Sequence, residues 1–482
     1  MRKEICIMGG IFFLALLAAV VHFSVWNNLS ELAIPLSQVS FGSLDPWSPF
    51  TGQAVSLTHT GTFNYSEPGY IGLTQRGPVY ASIVAVGLLL FGERASSVLL
   101  VNIFLLFAAL FFLWRISKQF LSGWWAFLPS LLLGVYWEVS TFVAFGSYEM
   151  FALAMATFSV WSFFHYRDTR NIWWLVAAGC GVGAWVLEKP ILILSVPFFV
   201  IIVIAWQWSR LNRRTLAIHI FLFIALVGVI IGVWSQRNYR VLGTRELGTG
   251  GVILLRRASQ VDFTPPELIS MGLSFAVGDY VGAKLYSAFP RENGLPAEPK
   301  TWDPAIERRL ETSHFYGFDK EKGFHWIVTD LDGTEMTRVK FDARLKEEAI
   351  MKIKKRPVKF FLVGFLNLLR LNAPINYGSQ EIMHVFVGAH DSIPPVGKIG
   401  IILILRGIWY AFLALVLYGI VRHAKDWQTW GLIAFVALYY NGMYAFFTHA
   451  EVRYILTAMP FYLIFFTDSL QLFYETYSAR RA

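Results

Sequence analysis

The feature that most constrains this chain is the recurrence of apolar runs of about 16 to 22 residues, separated mostly by short loops. They lie at about Ile5–Trp26, Ala95–Trp114, Trp124–Phe145, Glu149–His165, Ile172–Leu187, Ile191–Trp208, Leu216–Trp234, Ile399–Ile420, Gly431–Phe447 and Tyr454–Leu470. A helix needs about 20 largely apolar residues to cross the hydrocarbon core, and a spanning segment must satisfy its own backbone hydrogen bonds. The pattern therefore predicts an all-α polytopic membrane protein of about ten transmembrane helices. Composition agrees: 56% of residues are hydrophobic and 15% charged, against roughly 45–50% and about 25% in soluble domains. A soluble globule, a disordered chain, a collagen and a coiled coil are excluded. Cys6 and Cys180 lie far apart, in or beside apolar runs, which argues against a disulfide framework.

The net charge of +9 does not point to nucleic acid, because the basic residues are scattered over short loops. Arg2 and Lys3 precede the first run, which exceeds the core of a signal peptide and is followed by no small-x-small cleavage site, so it is expected to be a retained span. With the N-terminus in the cytoplasm, Arg115/Lys118, Arg167/Arg170, Arg210/Arg213/Arg214, Arg422/Lys425 and Arg480/Arg481 all fall on the cytoplasmic side, as the positive-inside bias requires. Two shorter apolar stretches, Val79–Phe91 and Val358–Leu371, are expected to be interfacial helices, since counting either alone as a span would reverse every later loop. Three parts follow. Residues 1–235 form an N-terminal transmembrane catalytic module that includes a first outer loop, 27–94. Residues 236–398 form a small α+β extracytoplasmic cap with the interfacial helix near 358–371, and residues 399–482 form the C-terminal transmembrane helices. Within the cap, HWIVTD and TRVKF flank Asp332-Gly333 and predict a β-hairpin.

Charged side chains at the membrane are costly and mark candidate functional positions. Asp45, Arg76, Glu138, Glu149, Glu188, Lys189, His449, Glu451 and Arg453 all map to outer span ends or the first outer loop. Acids and bases converging on one face point to an extracytoplasmic reaction site. No chain of charges suited to a proton pump crosses the membrane.

Five segments in this order carry a family resemblance. They are DPWSPFTGQAVSLTHTGTF with Asp45, QRGPVYASIVAVGLLLFGERASSVLLVN from Gln75 to Asn102, GSYEMFAL with Glu149, EKPILILSVP with Lys189 and Pro190, and HAEVRYILTAMP from His449 to Pro460. Together they resemble the integral-membrane glycosyltransferases of the GT-C fold, in the branch of the protein O-mannosyltransferases and the lipid A aminoarabinose transferase. The segments cover the first half of the membrane body and its last hairpin. Two departures stand out: Pro46 and Trp47 follow Asp45 where an acidic or polar residue is usual, and the spacing from Asp45 to Phe50 and Ala54 is about one residue longer than the commonest form.

The resemblance implies transfer of a sugar from a polyprenyl-phosphate donor to an acceptor hydroxyl on a lipid, glycan or protein at the outer face, with inversion. In that scheme Asp45 is the general base, and Glu149 either orients the acceptor or helps Asp45 to ligate a divalent cation. Lys189, Arg453 and Arg76 hold the departing phosphate, while His449, Glu451, Tyr454 and Tyr80 bind substrate. Membrane lipids are the other partner, and a bacterial inner membrane with a periplasmic site is the expected location. The competing class is a transporter or lipid flippase, which would show inverted repeats and midplane polar residues; no repeat is visible. Asp330-Leu331-Asp332-Gly333-Thr334 matches a phosphatase nucleophile string but is read as the hairpin turn, because the surrounding segment is too short for a phosphatase domain.

Overall fold

The computed structural model describes residues 2–26, 49–63, 77–144, 146–242, 244–248, 250–286, 288, 315–316, 327–329, 334–372, 394–448 and 452–481. Its helices, in chain order, are α1 (Arg2–Trp26), α2 (Pro49–Thr60), α3 (Val79–Phe91), α4 (Ala95–Ser117), α5 (Leu128–Gly134), α6 (Trp137–Ala144), α7 (Glu149–Thr169), α8 (Ile172–Glu188), α9 (Val196–Gln207), α10 (Arg213–Leu242), α11 (Gly251–Ser259), α12 (Pro265–Val277), α13 (Asp279–Leu285), α14 (Arg338–Lys355), α15 (Pro357–Leu371), α16 (Pro395–Arg422), α17 (Trp427–Phe447) and α18 (Met459–Ala479). Short 3-10 turns cover Gly123–Phe127, Pro190–Ser195 and Val452–Thr457, among others.

Among the described residues six helices are long and apolar enough to cross a membrane: Lys3–His22, Ala95–Ser117, Pro190–Gln207, Arg213–Val241, Val396–Arg422 and Ala424–Phe447. Gly123–Gly134 and Trp137–Ala144, bent by 50°, make a seventh if taken as one broken span. The three remaining runs from the sequence reading are α7, α8 and α18. Of these, α8 has only 17 residues, and α7 carries Glu149, His165, Arg167 and Asp168. Their surroundings explain why they can be shorter or more polar. Most of α7 is buried by neighbouring helices, as is the first half of α18 from Met459 to Phe465. A helix sheathed by protein presents little surface to lipid and needs no continuous apolar coat. The two shorter apolar stretches, expected to be interfacial, are helical, as α3 and α15. Helix α2, inside the first-loop motif, was not anticipated; its Thr51, Gln53 and Ala54 are buried.

Polar contacts sort the helix ends. Glu4 of α1 receives Lys118 Nζ at 2.6 Å. Arg167 donates to Gln119 Oε1 at 3.1 Å, Trp206 Nε1 to the Gln428 carbonyl at 2.6 Å, and Gln471 Nε2 to Ser122 Oγ at 2.7 Å. His423 meets Asp468 at 2.8 Å. These pairs gather the start of α1, the ends of α4, α7, α9 and α16, the start of α17 and the second half of α18 at one end of the bundle. The short basic loops lie at that end, called here the basic end. Helix direction then puts the starts of α7 and α18 and the ends of α8 and α17 at the opposite end.

The segment between α10 and α16 contributes further packing. Helix α10 continues past residue 235 to Leu242. In α14, Phe341, Leu345 and Ala349 recur every four residues and bury against Leu255 and Ala258 of α11, which is why this stretch is helical. Three short strands pair antiparallel in the order Phe315–Tyr316, Ile327–Thr329, Glu335–Thr337, with Thr329 opposite Glu335. The last two strands pair as the two arms of the expected hairpin would, but the second arm is Glu335–Thr337; Asp332-Gly333 lies outside the described residues. Of the expected strand TRVKF only Thr337 is in a strand; Arg338 opens α14, because Phe341 belongs to the helical buried stripe.

Gly251 opens α11 and donates its N–H to both Asp342 carboxylate oxygens, at 3.0 and 3.1 Å. A Cβ there would stand 2.1 Å from the Asp342 carbonyl oxygen. Gly251→Ala should therefore force α11 from α14 and lower stability by about 1–3 kcal/mol, read as a lower Tm in detergent. Asp342→Asn, which keeps an acceptor, should lower it less; an unchanged Tm for Gly251→Ala would contradict this packing.

Candidate active site

The site begins with a backbone constraint. A residue before proline is disfavoured in the helical region, and Lys189, before Pro190, leaves α8 with φ −129° and ψ 82°. The chain therefore turns at Glu188-Lys189 and restarts as the Pro190–Ser195 turn. This break sits at the end of the bundle opposite the basic end and directs two adjacent charged side chains to different partners. Glu188 Oε1 accepts the Tyr80 backbone N–H at 2.9 Å. Lys189 Nζ lies 3.6 Å from Glu149 Oε1.

Glu149 occupies the first turn of α7, where the positive end of the helix dipole favours a carboxylate. It is fully buried, and Lys189 is 3% exposed. Ser147 donates its hydroxyl to Glu149 Oε2 in a short hydrogen bond. Gly146, at φ +62°, makes the preceding turn in a conformation that side-chain-bearing residues rarely adopt. Three tyrosine rings face the ammonium: Tyr148 at 5.0 Å, Tyr454 at 5.1 Å and Tyr444 at 5.8 Å. These distances are within the reach of cation–π attraction. Behind them runs an aromatic column in which Tyr454 stacks on Tyr444 at 4.2 Å, Tyr444 on Tyr440 at 5.5 Å, and Tyr440 on Trp185 at 5.7 Å.

Tyr80 is fully buried. Its hydroxyl donates its single proton to the Gly146 carbonyl at 2.6 Å, with Asn102 Oδ1 a longer second acceptor at 3.1 Å. Burial pushes this phenol well above its ordinary pKa; the Asn102 hydrogen bond opposes the shift, while Glu149 and Glu188 add to it. It therefore stays a proton donor. Arg453, on the Val452–Thr457 turn, sets its guanidinium 5.4 Å from the Tyr454 ring and is partly exposed.

Of the residues expected from sequence, Glu149, Lys189, Tyr454, Arg453 and Tyr80 thus meet in one neighbourhood. Asp45, Arg76, His449 and Glu451 lie outside the described residues. Ser147, Tyr148, Asn102, Tyr440 and Tyr444 were missed. The four-residue spacing of Tyr440 and Tyr444 in YYNGMY was a usable signal; the approach of Asn102 across helices was not. Arg406 was also missed. It is buried within α16 and donates to the Phe275 carbonyl at the end of α12, at 3.0 Å.

Among the described residues no group of three or more His, Cys, Asp or Glu side chains is placed to hold a metal; Asp45, the other expected ligand, lies outside them. Glu149 is turned toward Lys189 and Ser147.

Residues 75–234, about a third of the chain, match the family model described as dolichyl-phosphate-mannose-protein mannosyltransferase. The resemblance to membrane glycosyltransferases read from the motifs is borne out over that segment, which holds Tyr80, Glu149 and Lys189. No curated protein sequence matches the chain. Among solved structures, it is similar to the oligosaccharyltransferase AglB from Archaeoglobus fulgidus in complex with an inhibitory peptide and a dolichol-phosphate. The identity there is 11%, the TM-score 0.47, and the match covers 98% of this chain and 51% of that one. An Archaeoglobus fulgidus oligosaccharyltransferase in complex with Zn and sulfate gives 11% identity and a TM-score of 0.45, over 97% of this chain and 50% of that one. ArnT from Cupriavidus metallidurans bound to undecaprenyl phosphate gives 12% identity and a TM-score of 0.34, over 96% of this chain and 77% of that one. The chain spans about half the length of the oligosaccharyltransferase chains.

Removing one member of a buried ion pair leaves an uncompensated charge and costs about 3–5 kcal/mol, whereas replacing both is far milder. Glu149→Gln and Lys189→Met should each lower Tm sharply, and the double variant should regain most of the loss. Additive losses in this thermal-unfolding cycle would show that the two side chains do not depend on one another.

Proposed function

We propose that this protein is a membrane glycosyltransferase that moves a sugar from a polyprenyl-phosphate donor to an acceptor hydroxyl on a lipid, glycan or protein. The observation that carries this reading is the buried Glu149–Lys189 pair. It lies in the segment that matches the mannosyltransferase family model, at the end of the bundle away from the basic loops. The positive-inside bias orients that end outward, toward the periplasm of a bacterial inner membrane. No observation favours the transporter reading. In this scheme ten helices span the bilayer, and residues 236–398 cap the outer mouth.

The reaction follows from what each group can do. Asp45 takes the proton of the acceptor hydroxyl as its oxygen attacks the anomeric carbon. The bond from that carbon to the phosphate oxygen breaks on the opposite side, and its electron pair leaves with the polyprenyl phosphate. A single displacement of this kind inverts the anomeric configuration. Arg453, more exposed than Lys189, meets the phosphate, and Arg76 supplies a second positive charge; fixed cations stabilise the growing negative charge. Lys189 is shut behind tyrosine rings and acts at the inner edge of the same field. Glu149 sets its position and orients the acceptor, with Tyr454, His449 and Glu451 lining the sugar site.

Turnover of a polyprenyl-phosphate sugar by protein purified in detergent, without vesicles, tests the class, since a transporter would leave the donor intact. Asp45→Asn should cut the rate by about 10²–10⁴-fold with Tm unchanged. Full activity in that variant removes Asp45 from the mechanism. NMR assignment of the anomeric centre in donor and product should show inversion.

A further inference from the structure

Glu188 and Tyr80, which border the charged pair, have a separate task. Helix α3 begins at Val79, after an N-cap residue, Pro78, that makes no side-chain cap hydrogen bond, leaving early N–H groups that need acceptors. Glu188, 108 residues later in the chain, supplies one through its bond to the Tyr80 N–H, and a carboxylate at a helix N-terminus is favoured by the dipole. The approach is close: a Cβ on Gly77 would stand 2.5 Å from the Leu187 carbonyl oxygen and 2.8 Å from Glu188 Cδ. From the same turn of α3, the Tyr80 hydroxyl reaches the Gly146 carbonyl, in the turn that presents Ser147, Tyr148 and Glu149. One end of α3 is thus bonded to both strands of chain that carry the ion pair. The other end shows apolar surface outward, with Val86 54%, Leu89 71%, Leu90 70% and Phe91 47% exposed.

We infer that Glu188 and Tyr80 are positioning residues that latch the lipid-facing helix α3 to the Glu149–Lys189 pair, so that an isoprenoid chain lying against α3 sets the geometry of that pair. The ligand in this inference rests on the sugar-transfer reading; the latch itself does not. Tyr80 is then no direct substrate ligand, because its hydroxyl is committed to Gly146 and Asn102. Glu188 acts through an amide hydrogen bond, so an uncharged acceptor of the same shape keeps most of its role.

Two measurements on the full-length protein in detergent decide it. Hydrogen exchange should rise in Glu188→Ala at residues 79–82 and also at 146–150, with Glu188→Gln close to wild type at both. A change confined to 79–82 overturns the latch. In the kinetic arm, wild type is compared on a full-length polyprenyl-phosphate sugar and on one with two isoprene units. Glu188→Ala and Tyr80→Phe should lose about 100-fold in kcat/KM on the long donor, the scale of a small misplacement of reacting groups, and little on the short one. Equal loss on both donors overturns the inference. If wild type turns over neither donor, the sugar-transfer reading fails while the exchange measurement still decides the latch.

Discussion

The Glu149–Lys189 pair depends on a proline. An ammonium and a carboxylate removed from water are tolerated only when each neutralises the other and nearby dipoles take up what remains. Here the helix bearing Lys189 must stop one residue before Pro190, which swings the lysine out of α8 and toward the first turn of α7. The tyrosines follow from that placement. Three ring faces around one ammonium lower the cost of burying it, and they draw α7, α17 and the Val452–Thr457 turn onto a common centre. Distant parts of the chain are held together there by one short-range electrostatic demand.

Much of this was legible beforehand because hydrophobic length and loop charge are one-dimensional signals. The long apolar helices, the short helices α3 and α15, and the gathering of Glu149, Lys189, Arg453, Tyr454 and Tyr80 came from such signals together with ordered motifs. What sequence could not supply was the pairing. Glu188 and Lys189 are neighbours, and nothing in EKP says that one turns to α3 and the other to α7. Nor does the sequence say that the Tyr80 hydroxyl reaches a carbonyl 66 residues away. The strand expected at TRVKF failed for a related reason. Phe341 fits an alternating pattern locally but is claimed by a helical stripe that only the partner helix α11 makes visible.

The segment between α10 and α16 is tied to the bundle by Arg257 of α11. Its guanidinium is buried against the Phe360 ring at 4.2 Å and donates to the Phe360 carbonyl at 2.6 Å, to Gln260 at 3.1 Å and to the Ala445 carbonyl at 3.3 Å. Burial pulls it down to about 9, still above neutrality, so it remains a cation satisfied by neutral oxygens. Ala445 directly follows Tyr444, so the anchor of this segment sits behind one wall of the tyrosine enclosure. Movement of α11 would be felt at Lys189 through that wall.

Arg406 bears on how the chain is assembled. An arginine within a spanning helix costs about 2.5–3.5 kcal/mol at the bilayer centre on insertion scales, and α16 would carry that penalty if it entered lipid alone. Its acceptor is the Phe275 carbonyl at the end of α12, which lies earlier in the chain. During synthesis from the N-terminus, therefore, the oxygen that receives the guanidinium exists before the arginine does. The carbonyl at the end of α12 thus takes up a guanidinium that α16, alone in lipid, would have to carry unsatisfied.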